Sequence, residues 1–79
     1  MYTVYVLQDS KGKYYKGFTK NLARRFSEHI SGQTKTTKHM VALKIVYTEQ
    51  YESMQEARTR EVYFKTAAGR KFLHKILRT

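Results

Sequence analysis

The chain has 79 residues, with 16 Lys+Arg against 6 Asp+Glu, and a formal net charge of +10. That length holds one small domain over residues 1–79 with a thin core, and the absence of cysteine excludes disulfides and cysteine–zinc sites. No apolar run is long enough for a membrane span, residues 1–8 carry no secretory signal, and the charge favours a polyanionic partner in the cytoplasm, nucleic acid above all.

Met1 to Gln8 alternates, with Tyr2, Val4 and Val6 on one face and Thr3, Tyr5 and Leu7 on the other, which predicts a strand. Asp9-Ser10-Lys11-Gly12 reads as a turn and Lys13 to Phe18 as the returning strand. A three-residue loop, Ser10 to Gly12, sets Leu7 opposite Tyr15 and Tyr5 opposite Gly17, so the two tyrosines share a face. Thr19 to Ser31 reads as a helix capped by Asn21 or Thr19 and by Gly32, with Leu22, Phe26, His29 and Ile30 facing inward. On that helix Arg25 lies beside the inner line and Arg24 opposite it.

Gln33 to His39 is polar and basic, the pattern of a mobile loop. Val41 to Tyr47 alternates again and predicts a third strand. Ser53-Met54-Gln55-Glu56 is a capping box that opens a helix running to Ala68, with Gly69 ending it. Arg70 to Leu77 then forms a last helix with Phe72, Leu73 and Ile76 inward. The fold class expected is α+β: a small three-stranded, mostly antiparallel sheet flanked by helices, in the order β-β-α-β-α-α.

Glu61 falls in the apolar stripe Met54, Ala57, Phe64, Ala68. A carboxylate there is costly unless it is paired or holds a cation. In so basic a chain, an inward carboxylate points to a cation site that meets phosphate. Ordinary structural readings stand beside this one. Glu61 can pair with Arg25, or with Arg58 or Lys65 one turn away. Tyr5 and Tyr15 can be cross-strand aromatics, Arg25 a surface charge, and His29 a satisfied core histidine.

Several segments carry a family resemblance when taken in order. They are Val4-Tyr5-Val6, Tyr15-Lys16-Gly17, Asn21-Leu22-Ala23-Arg24-Arg25-Phe26 with His29, and Glu56-Ala57 followed by Arg60-Glu61. Together with Thr36-Thr37-Lys38 and Gly69-Arg70-Lys71-Phe72-Leu73, this set resembles the GIY-YIG nuclease superfamily. It looks closest to small stand-alone bacterial members similar to the N-terminal domain of the excision-repair incision subunit. The resemblance implies a DNA endonuclease of repair or recombination, dependent on Mg²⁺ or Mn²⁺. Its implied site is Tyr5, Tyr15, Arg25, His29 and Glu61, with Glu61 as the metal ligand. Lys16, Lys20, Lys35, Lys38 and Lys44 are expected to hold backbone phosphates.

A Mg²⁺ ion keeps most of its waters and needs only one or two carboxylates. Arg25 offers a planar fork to the scissile phosphate, and Tyr5 is the candidate base once a cationic neighbour lowers its pKa. Residues 66–79 contain no asparagine, where many members carry one after the glutamate helix. The alternative reading is therefore a catalytically weak or inactive nucleic-acid-binding module of the same fold. The thin core leaves room for a weak homodimer or a repair-complex partner.

Overall fold

Tyr2–Gln8 (β1) is the central strand of a three-stranded antiparallel sheet, flanked by Tyr14–Thr19 (β2) and Lys44–Tyr51 (β3) in the order β2-β1-β3. The computed structural model describes residues 1–35 and 37–77. Leu22–Ile30 (α1), Met54–Phe64 (α2) and Ala67–Leu77 (α3) complete the expected order β-β-α-β-α-α. The hairpin has the expected register, with Leu7 opposite Tyr15 and Tyr5 opposite Gly17. Its turn closes through the Asp9 side chain, which accepts the Lys11 and Lys13 amides, and Gly12 takes φ +87° where a side chain would be strained.

The two faces of β1 serve different cores. Val4 and Val6 pack with Ala57 and Phe64 of α2 and Leu73 of α3, all buried. The opposite face buries Tyr5 and Leu7, and α1 approaches it through His29. A central strand covered on both sides must be apolar at nearly every position, and Val4-Tyr5-Val6-Leu7 is buried throughout.

Several expected boundaries move. α1 begins at Leu22, one residue after its cap Asn21, whose side chain accepts the Arg24 amide. Ser31 is its C-cap and Gly32 follows at φ +79°. Ile30, expected inward, is 59% exposed because α1 meets the sheet through His29 alone at full burial. The third strand runs Lys44–Tyr51 rather than Val41 to Tyr47. The Val41 carbonyl is taken by the Ser10 amide and Ala42 sits at φ +58°, so 41–43 turns instead of pairing. The helix expected to run unbroken to Ala68 stops at Phe64. Thr66 caps a new helix, its hydroxyl accepting the Gly69 amide and donating to the Tyr63 carbonyl. Gly69 therefore lies inside α3, not at the end of α2, and Met54 and Ala68 are both exposed. Ile76, expected inward, is 41% exposed, whereas Leu73 is buried.

β3 carries a charge into the α2 side. Glu49 pairs opposite Val4 and receives the Arg60 guanidinium at 2.9 and 3.2 Å and the hydroxyls of Tyr47 and Tyr51. Arg60 in turn lies over the rings of Tyr63, Phe64 and Phe72. Burial pushes the Glu49 carboxyl up, but the hydrogen bonds from Arg60, Tyr47 and Tyr51 outweigh it and hold it below the usual range. A carboxyl lowered on folding stabilises the fold above its unfolded value and stops doing so as pH falls through the folded one. Urea denaturation should therefore show wild-type stability falling as pH drops below about 4.5, and a flatter profile for Glu49→Gln. That variant should already be weaker by roughly 1–3 kcal/mol, since Arg60 keeps its rings but loses its counter-ion. Parallel pH profiles for the two proteins would show that this carboxylate does not couple protonation to folding.

Candidate active site

Tyr5 is 1% exposed, yet its hydroxyl is not orphaned. It lies 2.9 Å from His29 Nε2, and His29 Nδ1 lies 2.8 Å from Thr37 Oγ1, with both His29 and Thr37 buried. Three elements build this row. β1 presents Tyr5, α1 presents His29, and the segment after α1 folds back over the sheet to present Thr37.

The protonation pattern follows from the partners. Burial lowers the His29 pKa, and the Arg25 charge lowers it further, so the imidazole is neutral at pH 7. Burial pushes the Tyr5 phenol up to about 12, against the lowering effect of Arg25, so the phenol keeps its proton. Arg25 can only donate, and its charge acts on the Tyr5 phenol in the direction that favours ionisation. The phenolic proton therefore goes to His29 Nε2, which leaves Nδ1–H to donate to Thr37. The row is a proton path of three groups with one consistent direction.

Tyr15 closes the side of the row, its ring 4.9 Å from the His29 ring and 6.3 Å from that of Tyr5. Gly17 makes room for it. A Cβ on Gly17 would stand 2.7 Å from the Tyr5 hydroxyl and 3.3 Å from Tyr15. Arg25 is held by Glu28 at 2.9 Å, which raises its already high pKa, and Arg24 is 77% exposed as the helix geometry predicts.

Glu61 enters from α2. Its neighbours on the stripe, Ala57 and Phe64, are fully buried, and its own side chain is 14% exposed. Its charge reaches Tyr5, where it opposes ionisation. Its direct partner is Lys65, at 2.7 Å, one of the pairings open from sequence. The structure thus joins Tyr5, Tyr15 and His29 by direct contact, whereas Arg25 is paired with Glu28 and Glu61 with Lys65.

Among the described residues no group of three or more His, Cys, Asp or Glu could cage a metal ion. Glu61 offers a lone carboxylate that already draws a cation, the Lys65 ammonium. That donor set fits a hard ion that keeps its water shell, and not zinc, which needs three or four protein ligands.

The lysines expected on phosphates do not form one patch. Lys20 lies over the Tyr2 ring at one end of β1, and Lys44 pairs with Gln8 at the other, roughly 20 Å away along the strand. Lys35 and Lys38 are exposed on the segment that carries Thr37. Lys16 is half-buried opposite Val6, near Arg70 and Lys65.

Sequence reasoning passed over Thr37 as a site residue, placing it in a mobile loop, although it stands in the segment Thr36-Thr37-Lys38. Thr36 itself lies outside the described residues. The Thr37 hydroxyl needs a buried partner, and only the fold brings His29 to it. A hollow of about 560 Å³ lies elsewhere, against Tyr51, Thr59, Arg60 and Tyr63. The one cation lining it, Arg60, is already committed to Glu49.

Residues 1–73 match the family GIY-YIG, described as the GIY-YIG catalytic domain. The chain is 42% identical over 67 residues to a UPF0213 protein of Limosilactobacillus reuteri, covering 81% of this chain and 70% of that one. It is 38% identical over 66 residues to a UPF0213 protein of Halobacterium salinarum, covering 82% and 86%. Among solved structures, the solution NMR structure of a UPF0213 protein from Bacillus halodurans matches with a TM-score of 0.59 at 29% identity, over 96% of this chain and 85% of that one.

Proposed function

Because this chain belongs to the GIY-YIG family of catalytic domains, a nuclease module, we propose that it is a metal-dependent endonuclease hydrolysing phosphodiester bonds in DNA, in repair or recombination. Residues 1–79 act as one module. The observation that carries this reading is the buried row Tyr5–His29–Thr37, with the Tyr15 ring packed against it. A structural tyrosine needs one hydrogen bond, but this one has an acceptor that is itself bonded to a further buried hydroxyl.

The roles follow from the geometry. Tyr5 takes a proton from the attacking water as its own passes to His29 Nε2, and Thr37 keeps the imidazole in the accepting tautomer. Arg25 donates to the scissile phosphate and to the charge that builds on it. Tyr15 packs against both rings and keeps the row dry. Glu61 would hold Mg²⁺ or Mn²⁺, which when bound would supply Lewis-acid stabilisation of negative charge. The exposed lysines Lys20, Lys35, Lys38 and Lys44 hold the strand without reading sequence. One such site cuts one strand, so cutting both takes a homodimer or two visits. A repair-complex partner and a cytoplasmic location fit this reading, and no described helix is long and apolar enough to cross a membrane.

One observation favours the alternative, a binding module. The Tyr5 phenol, pushed up to about 12, is a poor base until substrate and metal arrive. A Mg²⁺ titration of nicking on supercoiled plasmid separates the two. The nuclease reading expects nicking that rises with Mg²⁺ and stops with EDTA. Salt-sensitive binding with no nicking at any Mg²⁺ concentration would leave the binding module in its place.

A further inference from the structure

Lys65 sits on the carboxylate that the nuclease reading gives to the metal. Its Nζ lies 2.7 Å from Glu61 Oε2. An ammonium and a divalent ion cannot share that oxygen at contact distance, because like charges that close repel strongly. Lys65 is also free to leave. It is the C-cap residue of α2, and its side chain is 55% exposed, against 14% for Glu61. Moving it costs no core packing.

A place for it to go is already built. Lys16 of β2 is half-buried, and its ammonium is held below its usual range, first by burial and then by the charges of Arg70 and Lys65. Lys16 opposes Val6 and so lies on the sheet face that α2 and α3 cover, and Arg70 follows Gly69, which abuts the backbone of Tyr63 and Phe64 just before the C-cap Lys65. Three cations therefore come to this side of the fold from three elements: β2, the end of α2, and α3. Among the described residues neither Lys16 nor Arg70 has a carboxylate within salt-bridge distance, and Lys65 has only Glu61. A small protein gains nothing from collecting like charges unless an anion meets them. Three donors converging beside a carboxylate suit a phosphodiester backbone lying next to a metal ion.

We propose that Lys65 is a resident counter-cation of Glu61 that a divalent metal ion displaces, and that the freed ammonium joins Lys16 and Arg70 in gripping a backbone phosphate beside the cleavage point. The proposal rests on the nuclease reading of Glu61 and adds to it a coupling. Metal binding creates a phosphate contact, and by linkage a bound backbone favours the metal by the same factor. Without metal the grip has two cations, and with metal it has three.

The test uses Mn²⁺ alone, counted by the paramagnetic resonance of the free ion, on wild type, Lys65→Met and Glu61→Gln without nucleic acid. Lys65→Met keeps the aliphatic stem at a mostly exposed position, so folding is preserved. Mn²⁺ is expected to bind Lys65→Met about 3- to 10-fold tighter than wild type, and to lose its site in Glu61→Gln. A second measurement follows the salt dependence of binding to a short DNA duplex without metal. Glu61→Gln frees Lys65, so the slope of log affinity against log salt should steepen by about 0.9, one phosphate contact. The same change in a Lys65→Met background should leave the slope where it was. Equal Mn²⁺ affinity in wild type and Lys65→Met, with loss in Glu61→Gln, would overturn the displacement and leave the metal site standing. Mn²⁺ binding indifferent to Glu61→Gln, or absent throughout, would bring down the metal role of Glu61 and the proposal with it. A slope that steepens equally in both backgrounds would overturn the grip.

Discussion

Glu61→Gln is expected to lower Mg²⁺-dependent plasmid nicking by at least about 1000-fold while moving the thermal midpoint by no more than a few degrees. The separation of the two effects is the informative part. Glutamine keeps the length and shape of the side chain, so the packing of Ala57 and Phe64 on either side is undisturbed. What goes is the charge. The pair with Lys65 is an i,i+4 contact with a mostly exposed ammonium, and such pairs contribute about 0.3–0.5 kcal/mol. The catalytic loss is far larger because Glu61 is the carboxylate that the nuclease reading gives to the metal. Nicking within tenfold of wild type would show that Glu61 is a structural ion-pair residue and that another group anchors the metal. Loss of nicking with a midpoint lowered by ten degrees or more would show only that the variant is unfolded, and circular dichroism at the assay temperature distinguishes that case.

Gly69→Ala should be the most damaging single-atom addition in the molecule. A Cβ at that position would stand 1.9 Å from the Tyr63 carbonyl oxygen and 2.6 Å from Phe64 Cα. Both are backbone atoms, so no rotamer change relieves the contact. The C-terminal end of α2 and the first turn of α3 would have to separate. That opens the stack of Phe64 on Phe72, whose centroids lie 6.1 Å apart, and lifts Leu73 from Val4 and Val6. Overpacking of this kind costs about 1–3 kcal/mol in ordinary cores and more where the backbone must move. For Gly69→Ala a loss of roughly 3–5 kcal/mol is expected, a large share of what a domain of this size has. Chemical denaturation beside Gly32→Ala gives the comparison. Gly32 has φ +79° and open space around it, so alanine there meets only backbone strain, about 1 kcal/mol. Equal effects at the two glycines would contradict the close approach of α2 and α3.

Much of this was legible in the sequence, for reasons of period and local chemistry. Alternation over Met1 to Gln8 and the Asp9–Gly12 turn set the hairpin and its register, because a strand repeats every two residues and a three-residue loop admits few pairings. The Leu22-to-His29 spacing placed Arg25 toward the site and Arg24 in solvent, and the capping box placed the start of α2. Glu61 stood out because a carboxylate between Ala57 and Phe64 breaks an apolar stripe.

Other features depended on how the elements meet in the fold. The end of α2 was misplaced because Thr66 is an ordinary helix residue until its hydroxyl takes the Gly69 amide, and Gly69 reads as a terminator until another helix backbone lies against it. β3 begins at Lys44 rather than Val41 because Ser10 takes the Val41 carbonyl and Ala42 turns at φ +58°. Glu49 is held within it by Arg60 of α2 and by the hydroxyls of Tyr47 and Tyr51, two positions to either side on the same strand. The choice among Arg25, Arg58 and Lys65 as partner of Glu61 was open in sequence. It was settled by where Glu28 holds Arg25 and where α2 ends. Thr37 shows the same division most plainly. Periodicity and composition report what a residue does with its neighbours in sequence. A buried hydroxyl bonded to a histidine eight positions earlier is decided by the closing of a loop over a sheet, where the cost of an unpaired polar group selects the partner.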